Sequence, residues 1–140
     1  MQITRESDYA ISCILYMSKE PRKVFVISEI AKPQYIPESF LSKILQKLVH
    51  GGLVKSIRGT RGGYLLAKQP RDINLFDVIE VIEGSLAMNL CVENKSKCII
   101  ANRCPVYTIW MEIKCEVEKK LKECNFEQLI YRENDNLIMN

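Results

Sequence analysis

The sequence lacks the features of membrane and secreted proteins. No apolar run approaches the roughly 20 residues that a membrane-spanning helix requires, and the first residues carry no secretory-signal pattern. Internal repeats and low-complexity tracts are also missing. The 140 residues, 47% hydrophobic and 26% charged, have an ordinary globular composition and about one domain's length. We therefore expect a cytoplasmic protein with no membrane partner.

Acidic residues are missing from the middle of the chain. Between Lys43 and Arg71 there are seven lysines and arginines but no Asp or Glu. A stretch of one charge sign offers a surface that releases counterions from phosphates. Charge alone leaves two interpretations open, a nucleic-acid-binding surface and a solvated basic face.

Histidine is scarce, whereas cysteine is not. The one histidine, His50, falls at the end of a predicted helix, where we expect neither a ligand nor a catalyst. Without a secretory signal, six cysteines argue against a disulfide framework. Three cysteines fall in helix-like sequence, where cysteine is usually a small buried hydrophobe: Cys13, Cys115 and Cys124. The other three share one short polar segment: Cys91, Cys98 and Cys104.

The spacing of apolar residues predicts a mainly α fold with one small β-hairpin. Helices are predicted from Thr4 to about Met17, after an N-cap at Ser28, from Pro37 to His50, and from Asn74 to Gly84. Val24–Ile27 is β-prone, and strands Leu53–Arg58 and Tyr64–Lys68 flank a glycine-rich tip. In the helix after Pro37, one buried stripe is expected: Phe40, Leu41, Ile44, Leu45, Leu48 and Val49.

This order of elements predicts a winged helix-turn-helix domain over residues 1–84. A recognition helix needs an apolar back and a polar front with side chains that approach base edges. A wing needs glycines and arginines that approach the DNA backbone or enter a groove. The residues expected to contact DNA are Ser39, Ser42, Lys43, Gln46, Lys47, Arg58, Thr60 and Arg61.

Residues 85–105 show no sustained period and are predicted to form a loop that carries the cysteine triplet. Thiolates suit zinc and iron–sulfur clusters. The spacings of six and five residues differ from the tight C-x2-C to C-x4-C pairs of structural zinc. A cluster, zinc and redox-active thiols remain alternatives, and Cys115 or Cys124 is a minor candidate for a fourth ligand.

Residues 106–140 begin with a long predicted helix. Its apolar residues alternate by four and three and form a coiled-coil-like seam, which indicates a partner helix: Val106, Trp110, Ile113, Val117 and Leu121. From Asn125 onward the sequence is too mixed to predict.

Nearly the whole chain resembles the Rrf2 family of bacterial winged-helix regulators, which includes the IscR, NsrR and RirA types. The resemblance is carried by Ile3–Ala10, Ile36–Gln46, Gly52–Val54, Arg58–Tyr64, Asp77–Ile79, Ile82–Gly84, Cys104–Pro105 and Trp110. It implies a homodimer formed through the long helix and a palindromic operator in double-stranded DNA. It also implies an iron–sulfur cluster on Cys91, Cys98 and Cys104, next to the DNA-binding domain of the partner subunit.

The resemblance also bears on the fourth ligand. The IscR-like branch has a histidine shortly after the third cysteine, but Pro105–Thr108 contains none. The NsrR-like branch uses an aspartate near the start of the first helix of the other subunit, and Asp8 stands at that place. We therefore favour the NsrR-like branch with a 4Fe–4S cluster, and 2Fe–2S is the alternative. Without a cluster, Asp8 would only stabilise the N-terminus of the first helix through its interaction with the helix dipole.

Together these features predict a non-enzymatic DNA-binding regulator, a repressor whose cluster senses nitric oxide, oxygen or redox state, or iron supply. A cluster-free winged-helix regulator controlled by zinc, thiol oxidation or a partner protein is the alternative. An electron-transfer enzyme is disfavoured because the sequence has no second cluster motif and no nucleotide-binding glycine fingerprint. No small-molecule substrate is expected.

Overall fold

The computed structural model describes residues 3–139 and is mainly α-helical with one two-stranded hairpin. The elements in chain order are α1 (Arg5–Ser18), α2 (Ile27–Gln34), α3 (Glu38–His50), β1 (Val54–Ile57), β2 (Gly63–Leu66), α4 (Leu75–Glu83), α5 (Leu90–Glu93), α6 (Pro105–Lys122) and α7 (Phe126–Met139). Short 3-10 turns lie at Pro70–Asp72, Lys95–Lys97 and Ala101–Arg103. Within residues 3–139, no helix combines the length and apolarity needed to cross a membrane. The predicted fold class is confirmed.

The helices α1, α2 and α3 pack around one apolar core. Thr4 caps α1 by accepting a hydrogen bond from the backbone N–H of Ser7. Four residues of the predicted α3 stripe are fully buried: Leu41, Ile44, Leu45 and Leu48. Phe40 was wrongly assigned to the stripe, since it is 48% exposed and packs edge-on against Tyr9 of α1. The buried stripe is narrower than the periodicity predicts, because only the centre of the helix face meets the core.

The hairpin pairs β1 and β2 in antiparallel register, with Ser56 opposite Tyr64. The β-prone run at 24–27 adds only a one-residue bridge, in which Phe25 and Tyr64 exchange backbone hydrogen bonds of 2.8 and 2.7 Å. The α2 helix begins at Ile27, so the N-cap predicted at Ser28 is wrong. The side chain of Glu29 instead accepts a hydrogen bond from the Val26 N–H at 2.9 Å.

Two glycines at the end of the hairpin leave no room for a side chain. A Cβ on Gly62 would lie 2.2 Å from the carbonyl oxygen of Ile57, and a Cβ on Gly63 would lie 2.3 Å from that of Phe25. Such distances are far inside van der Waals contact, so the close backbone approach requires glycine. The tight tip therefore follows from the glycine-rich sequence.

The C-terminal part contains more helix than the sequence predicted. The segment predicted as a loop contains α5 and two 3-10 turns, and the tail without a prediction forms α7. Phe126 at the start of α7 is fully buried in the main core. Its N–H donates to the Ile73 carbonyl at 3.0 Å, and the Leu75 N–H donates to the Cys124 carbonyl at 3.0 Å. These contacts dock the end of the chain on the winged-helix core.

Candidate DNA-binding and metal-binding sites

The polar face of α3 is turned away from the core. Ser39, Lys43, Gln46 and Lys47 are exposed, and Ser42 is half-buried. Because the apolar residues of α3 are fully buried on the other side, the helix is held rigidly with this face outward. The arrangement suits a helix that reads the major groove.

The wing presents the other predicted DNA contacts. Arg58, Thr60 and Arg61 are all exposed. The turn that carries them is closed by a hydrogen bond of 3.0 Å from the Gly62 N–H to the Gly59 carbonyl. This places two guanidinium groups and a hydroxyl on a short, tightly folded tip.

A cavity of about 310 Å³ lies between α3 and the hairpin and joins these two surfaces. Its polar lining comes from Gln46 and His50, four residues apart on α3, and from the cross-strand pair Ser56 and Tyr64. Sequence reasoning identified only Gln46 of this group. The i, i+4 spacing marked His50 as a neighbour of Gln46, but the hairpin register was needed to bring Ser56 and Tyr64 to the same place.

One predicted DNA-contacting residue already has a partner within the chain. The Lys47 ammonium lies 2.7 Å from the Glu6 carboxylate of α1. No sequence pattern predicts this pair, because the two residues are distant in the chain and meet only when α1 packs on α3. The Glu6 carboxylate therefore competes with any phosphate for this lysine.

The first turn of α1 also contacts the end of α4. One oxygen of the Glu83 carboxylate, Oε1, accepts hydrogen bonds from the Thr4 N–H at 3.0 Å, the Thr4 hydroxyl, and the Ser7 hydroxyl at 2.7 Å. Although Glu83 is exposed, its desolvation tends to raise the pKa, but these hydrogen bonds and the charge of Lys47 outweigh this effect and hold that pKa below its ordinary value. The carboxylate form of Glu83 is thereby favoured.

The three cysteines of the polar segment lie between α4 and α6. Cys91 is in α5, Cys98 follows a 3-10 turn, and Cys104 directly precedes α6. All three are half-buried free thiols, and the Cys91 thiol donates a hydrogen bond of 3.2 Å to Asn89 Oδ1. They are accessible enough to react or to bind a metal.

Cys13 has the opposite environment. It is fully buried in α1, and burial raises the pKa of its thiol to about 12. Because a thiolate is the form that binds metals and attacks electrophiles, this thiol is inert. Cys13 is therefore a core residue, as the sequence predicted. The same prediction is wrong for Cys115, which is exposed, and Cys124 is only half-buried.

The donor chemistry of the segment fits an iron–sulfur cluster, since three accessible thiols lie within 14 residues and none is in a disulfide. In the described part of the chain, however, no three His, Cys, Asp or Glu side chains are arranged around one metal position. Asp8, the predicted fourth ligand, is exposed on the first part of α1. The thiols therefore fit the group by their chemistry.

Exposed apolar side chains surround the cysteines. Ile99 is 100% exposed, and Leu90, Ile100, Val106 and Ile109 are each about half exposed or more. In α6, Val106 points to solvent, whereas Trp110, Ile113 and Val117 are half-buried. Leu121 packs within its own chain against Phe76, Ile79 and Leu86. Apolar exposure on this scale marks an interaction surface.

Comparison with known proteins gives a consistent result. A family model described as Rrf2, an iron-dependent transcriptional regulator, matches residues 3–132. The chain is 32% identical over 131 residues to a protein of Aquifex aeolicus named as an HTH-type transcriptional regulator, covering 92% of this chain and 91% of the relative. It is 28% identical over 137 residues to the HTH-type transcriptional regulator NsrR of Shouchella clausii, covering 96% and 92%.

Solved structures share the fold. The IscR of T. potens superposes with a TM-score of 0.71 at 27% identity, covering 95% of this chain and 88% of that one. CymR of B. subtilis, described as the global cysteine regulator, superposes with a TM-score of 0.74 at 27% identity, covering 94% and 98%. The winged-helix architecture predicted from the sequence is thus confirmed.

Proposed function

Because the chain belongs to the Rrf2 family of transcriptional regulators, we propose that it is a repressor whose operator affinity is controlled by an iron–sulfur cluster. Its relatives are named as transcriptional regulators, so it is a DNA-binding regulator and not an enzyme. Its site of action is then the cytoplasm, where bacterial DNA is found, and it needs no small-molecule substrate.

The observation that carries this proposal is the contrast between the cysteine segment and the rest of the chain. Three accessible thiols lie within 14 residues, surrounded by exposed apolar side chains. Exposed apolar side chains are unfavourable in water, and burying them against another surface lowers the free energy. An exposed apolar segment is therefore typical of an interaction site. The segment is suited to bind an iron–sulfur cluster through its thiols and a second protein surface through its apolar side chains.

Cys91, Cys98 and Cys104 would hold the cluster, and Asp8 of the partner subunit would complete a 4Fe–4S site, with 2Fe–2S as the alternative. When bound, the cluster supplies iron that responds to nitric oxide, to oxygen or redox state, or to iron supply. The Asp8 carboxylate is a harder ligand than a thiolate, so it binds its iron less strongly. The half-buried thiols hold the group near the surface, where a signal can reach it.

We propose a homodimer formed through α6, with Val106, Trp110, Ile113 and Val117 in the interface and Leu121 supporting it from within its own chain. The exposed apolar side chains at the start of α6 support this assignment. A symmetric dimer carries two winged-helix heads, so it reads a palindromic operator. The proposed DNA contacts are Ser39, Ser42, Lys43, Gln46 and Lys47 of α3 and Arg58, Thr60 and Arg61 of the wing.

A cluster-free regulator is the second candidate. The similarity to CymR, the global cysteine regulator of B. subtilis, favours this alternative. Accessible thiols also suit zinc binding or oxidation, which would need no iron. In that case the same segment would respond through its sulfur atoms or through a partner protein.

Metal analysis separates the two candidates. The protein is purified without oxygen, and iron, sulfide and zinc are measured with a visible spectrum for wild type, Cys104→Ala and Cys115→Ala. About four iron and four sulfide per chain support a 4Fe–4S cluster, and about two of each indicate 2Fe–2S. Cys104→Ala should lose both, whereas Cys115→Ala, an exposed cysteine outside the segment, should keep them. Stoichiometric zinc, or no metal, would contradict the proposal and support the second candidate.

DNA selection tests the proposed DNA-binding surface formed by α3 and the wing. Duplexes that bind the cluster-loaded protein are selected from a randomised pool and sequenced, and inverted repeats are expected because of the dimer symmetry. Lys43→Ala and Arg58→Ala should weaken binding to the selected duplex and leave the iron and sulfide content unchanged. Selected duplexes without a repeat would contradict the symmetric dimer.

A further inference from the structure

Glu83 occupies the junction between the DNA-binding head and the cysteine segment. It is the last residue of α4, and Gly84, with φ of 77°, turns the chain into the segment. Its carboxylate does not belong to the polar face of α3, the wing or the thiols. All its recorded side-chain hydrogen bonds go to the first turn of α1.

The contact with Ser7 is unusual because Ser7 is fully buried. Among the described residues only two polar side chains are this buried, Ser7 and Ser18. The Ser18 hydroxyl donates to the Ile14 carbonyl of its own helix, whereas the Ser7 hydroxyl reaches across to Glu83 at 2.7 Å. A buried donor that loses its acceptor is destabilising, so the Ser7 hydroxyl favours a fixed position for the Glu83 carboxylate.

The same turn of α1 is connected to the recognition helix. Glu6 precedes Ser7 and holds the Lys47 ammonium of α3 at 2.7 Å. The charge of Lys47 also helps to favour the carboxylate form of Glu83. The first turn of α1 therefore contacts the end of α4 on one side and the polar face of α3 on the other.

We propose that Glu83 is the positioning residue through which the cysteine segment acts on DNA binding: its carboxylate fixes the first turn of α1, which in turn holds Lys47 of the recognition helix. A shift in the path of the segment displaces Glu83 and breaks its hydrogen bonds to Thr4 and Ser7. The first turn of α1 then moves, and the ion pair between Glu6 and Lys47 changes with it. This inference rests on the proposed control by the segment, and it names the contact that carries that control.

The test compares operator affinity in cluster-loaded and cluster-free protein for Glu83→Ala, with Glu80→Ala as the matched control. Glu80 is an exposed glutamate one turn earlier on α4 with no side-chain hydrogen bond or ion pair among the described residues. Wild type should show a loaded-to-free affinity ratio of about 5- to 150-fold. Glu83→Ala should bring the ratio to within about twofold of one while the iron and sulfide content is kept. Glu80→Ala should keep the wild-type ratio.

Two milder variants distinguish the proposed role of Glu83 from a general loss of folding. Ser7→Ala removes the buried donor and should reduce the ratio as Glu83→Ala does, and the two changes should be non-additive because they break one contact. Glu83→Gln keeps an acceptor oxygen and should retain most of the ratio. In the cluster-free protein, hydrogen exchange in the first turn of α1 should accelerate in Glu83→Ala but not in Glu80→Ala.

The outcomes separate this inference from the function it rests on. A wild-type ratio that survives in Glu83→Ala overturns the role of Glu83 and leaves the cluster control intact. A wild-type protein that binds no cluster, or whose ratio is one, overturns both.

Discussion

The winged-helix region and the cysteine segment of the same chain are built in opposite ways. Up to Ile79, each helix contributes fully buried apolar side chains to a shared core. Between residues 85 and 122 only Leu86, Val92 and Ala101 are buried, and α6 has no buried residue over its 18 positions. The first region is complete in one chain. The second leaves several apolar side chains in water, Ile99 most completely, which is typical of an interaction surface.

Cysteine shows the difference within one residue type. Cys13 is fully buried with a pKa raised to about 12, whereas Cys91, Cys98 and Cys104 remain half-exposed. Burial makes the first a packing residue, and exposure keeps the others available for chemistry. The four predictions that follow test this comparison, from the largest expected effect to the smallest.

Truncation of apolar side chains should separate the two regions most clearly. Leu45→Ala removes a fully buried side chain and should lower the free energy of unfolding by about 2–5 kcal/mol, because it leaves a cavity. Ile99→Ala, at a fully exposed position, should change it by less than about 0.5 kcal/mol in the isolated subunit. Urea denaturation of cluster-free protein measures both, and equal costs would break the comparison.

Serine substitution should separate the cysteines. Cys13→Ser puts a hydroxyl into the core and should cost about 1–3 kcal/mol of unfolding free energy while iron and sulfide are retained. Cys98→Ser should remove iron and sulfide but change the stability of cluster-free protein by less than about 0.5 kcal/mol. Loss of iron in the first variant, or its retention in the second, would contradict the assignment.

Alkaline pH should destabilise the core through Cys13. The pKa of this thiol is raised from 9.0 to about 12 on folding, so the unfolded chain loses the proton first. The contribution of Cys13 to the free energy of unfolding is therefore fully present below pH 9.0 and is lost as pH rises toward about 12. The difference in unfolding free energy between wild type and Cys13→Ala should shift by about 1 kcal/mol over the first pH unit above this onset. A constant difference would show that Cys13 is not buried in solution.

The smallest effect concerns the wing. Arg61→Ala should weaken DNA binding several-fold and reduce the slope of log affinity against log salt concentration by about 0.9, the value for one phosphate contact. Arg132→Ala, on the exposed surface of α7, is the matched control and should leave the slope unchanged. Fluorescence anisotropy at several salt concentrations measures both slopes. An unchanged slope in Arg61→Ala would remove this residue from the phosphate contacts.

Much of the fold could be predicted from local patterns. The stripe of α3 and the glycine-rich tip of the wing each depend on residues a few positions apart. The errors lie where local patterns compete with packing. Ser28 was a good cap by type, but α2 begins at Ile27, and the Glu29 side chain binds the Val26 N–H instead. Phe40 had the right period, but it lies beside Tyr9 at the edge of the core.

The candidate sites divide in the same way. The sequence by itself determined which chemistry is present: a basic stretch without acids, a helix with one polar face and three clustered thiols. Only the tertiary structure decided the environment of each group, because residues far apart in sequence meet when the helices pack. Thus Glu6 reaches Lys47, Glu83 reaches Ser7, and α7 returns to cover the core with Phe126. Burial and partnership are properties of the packed chain, and they set Cys13 apart from Cys91, Cys98 and Cys104.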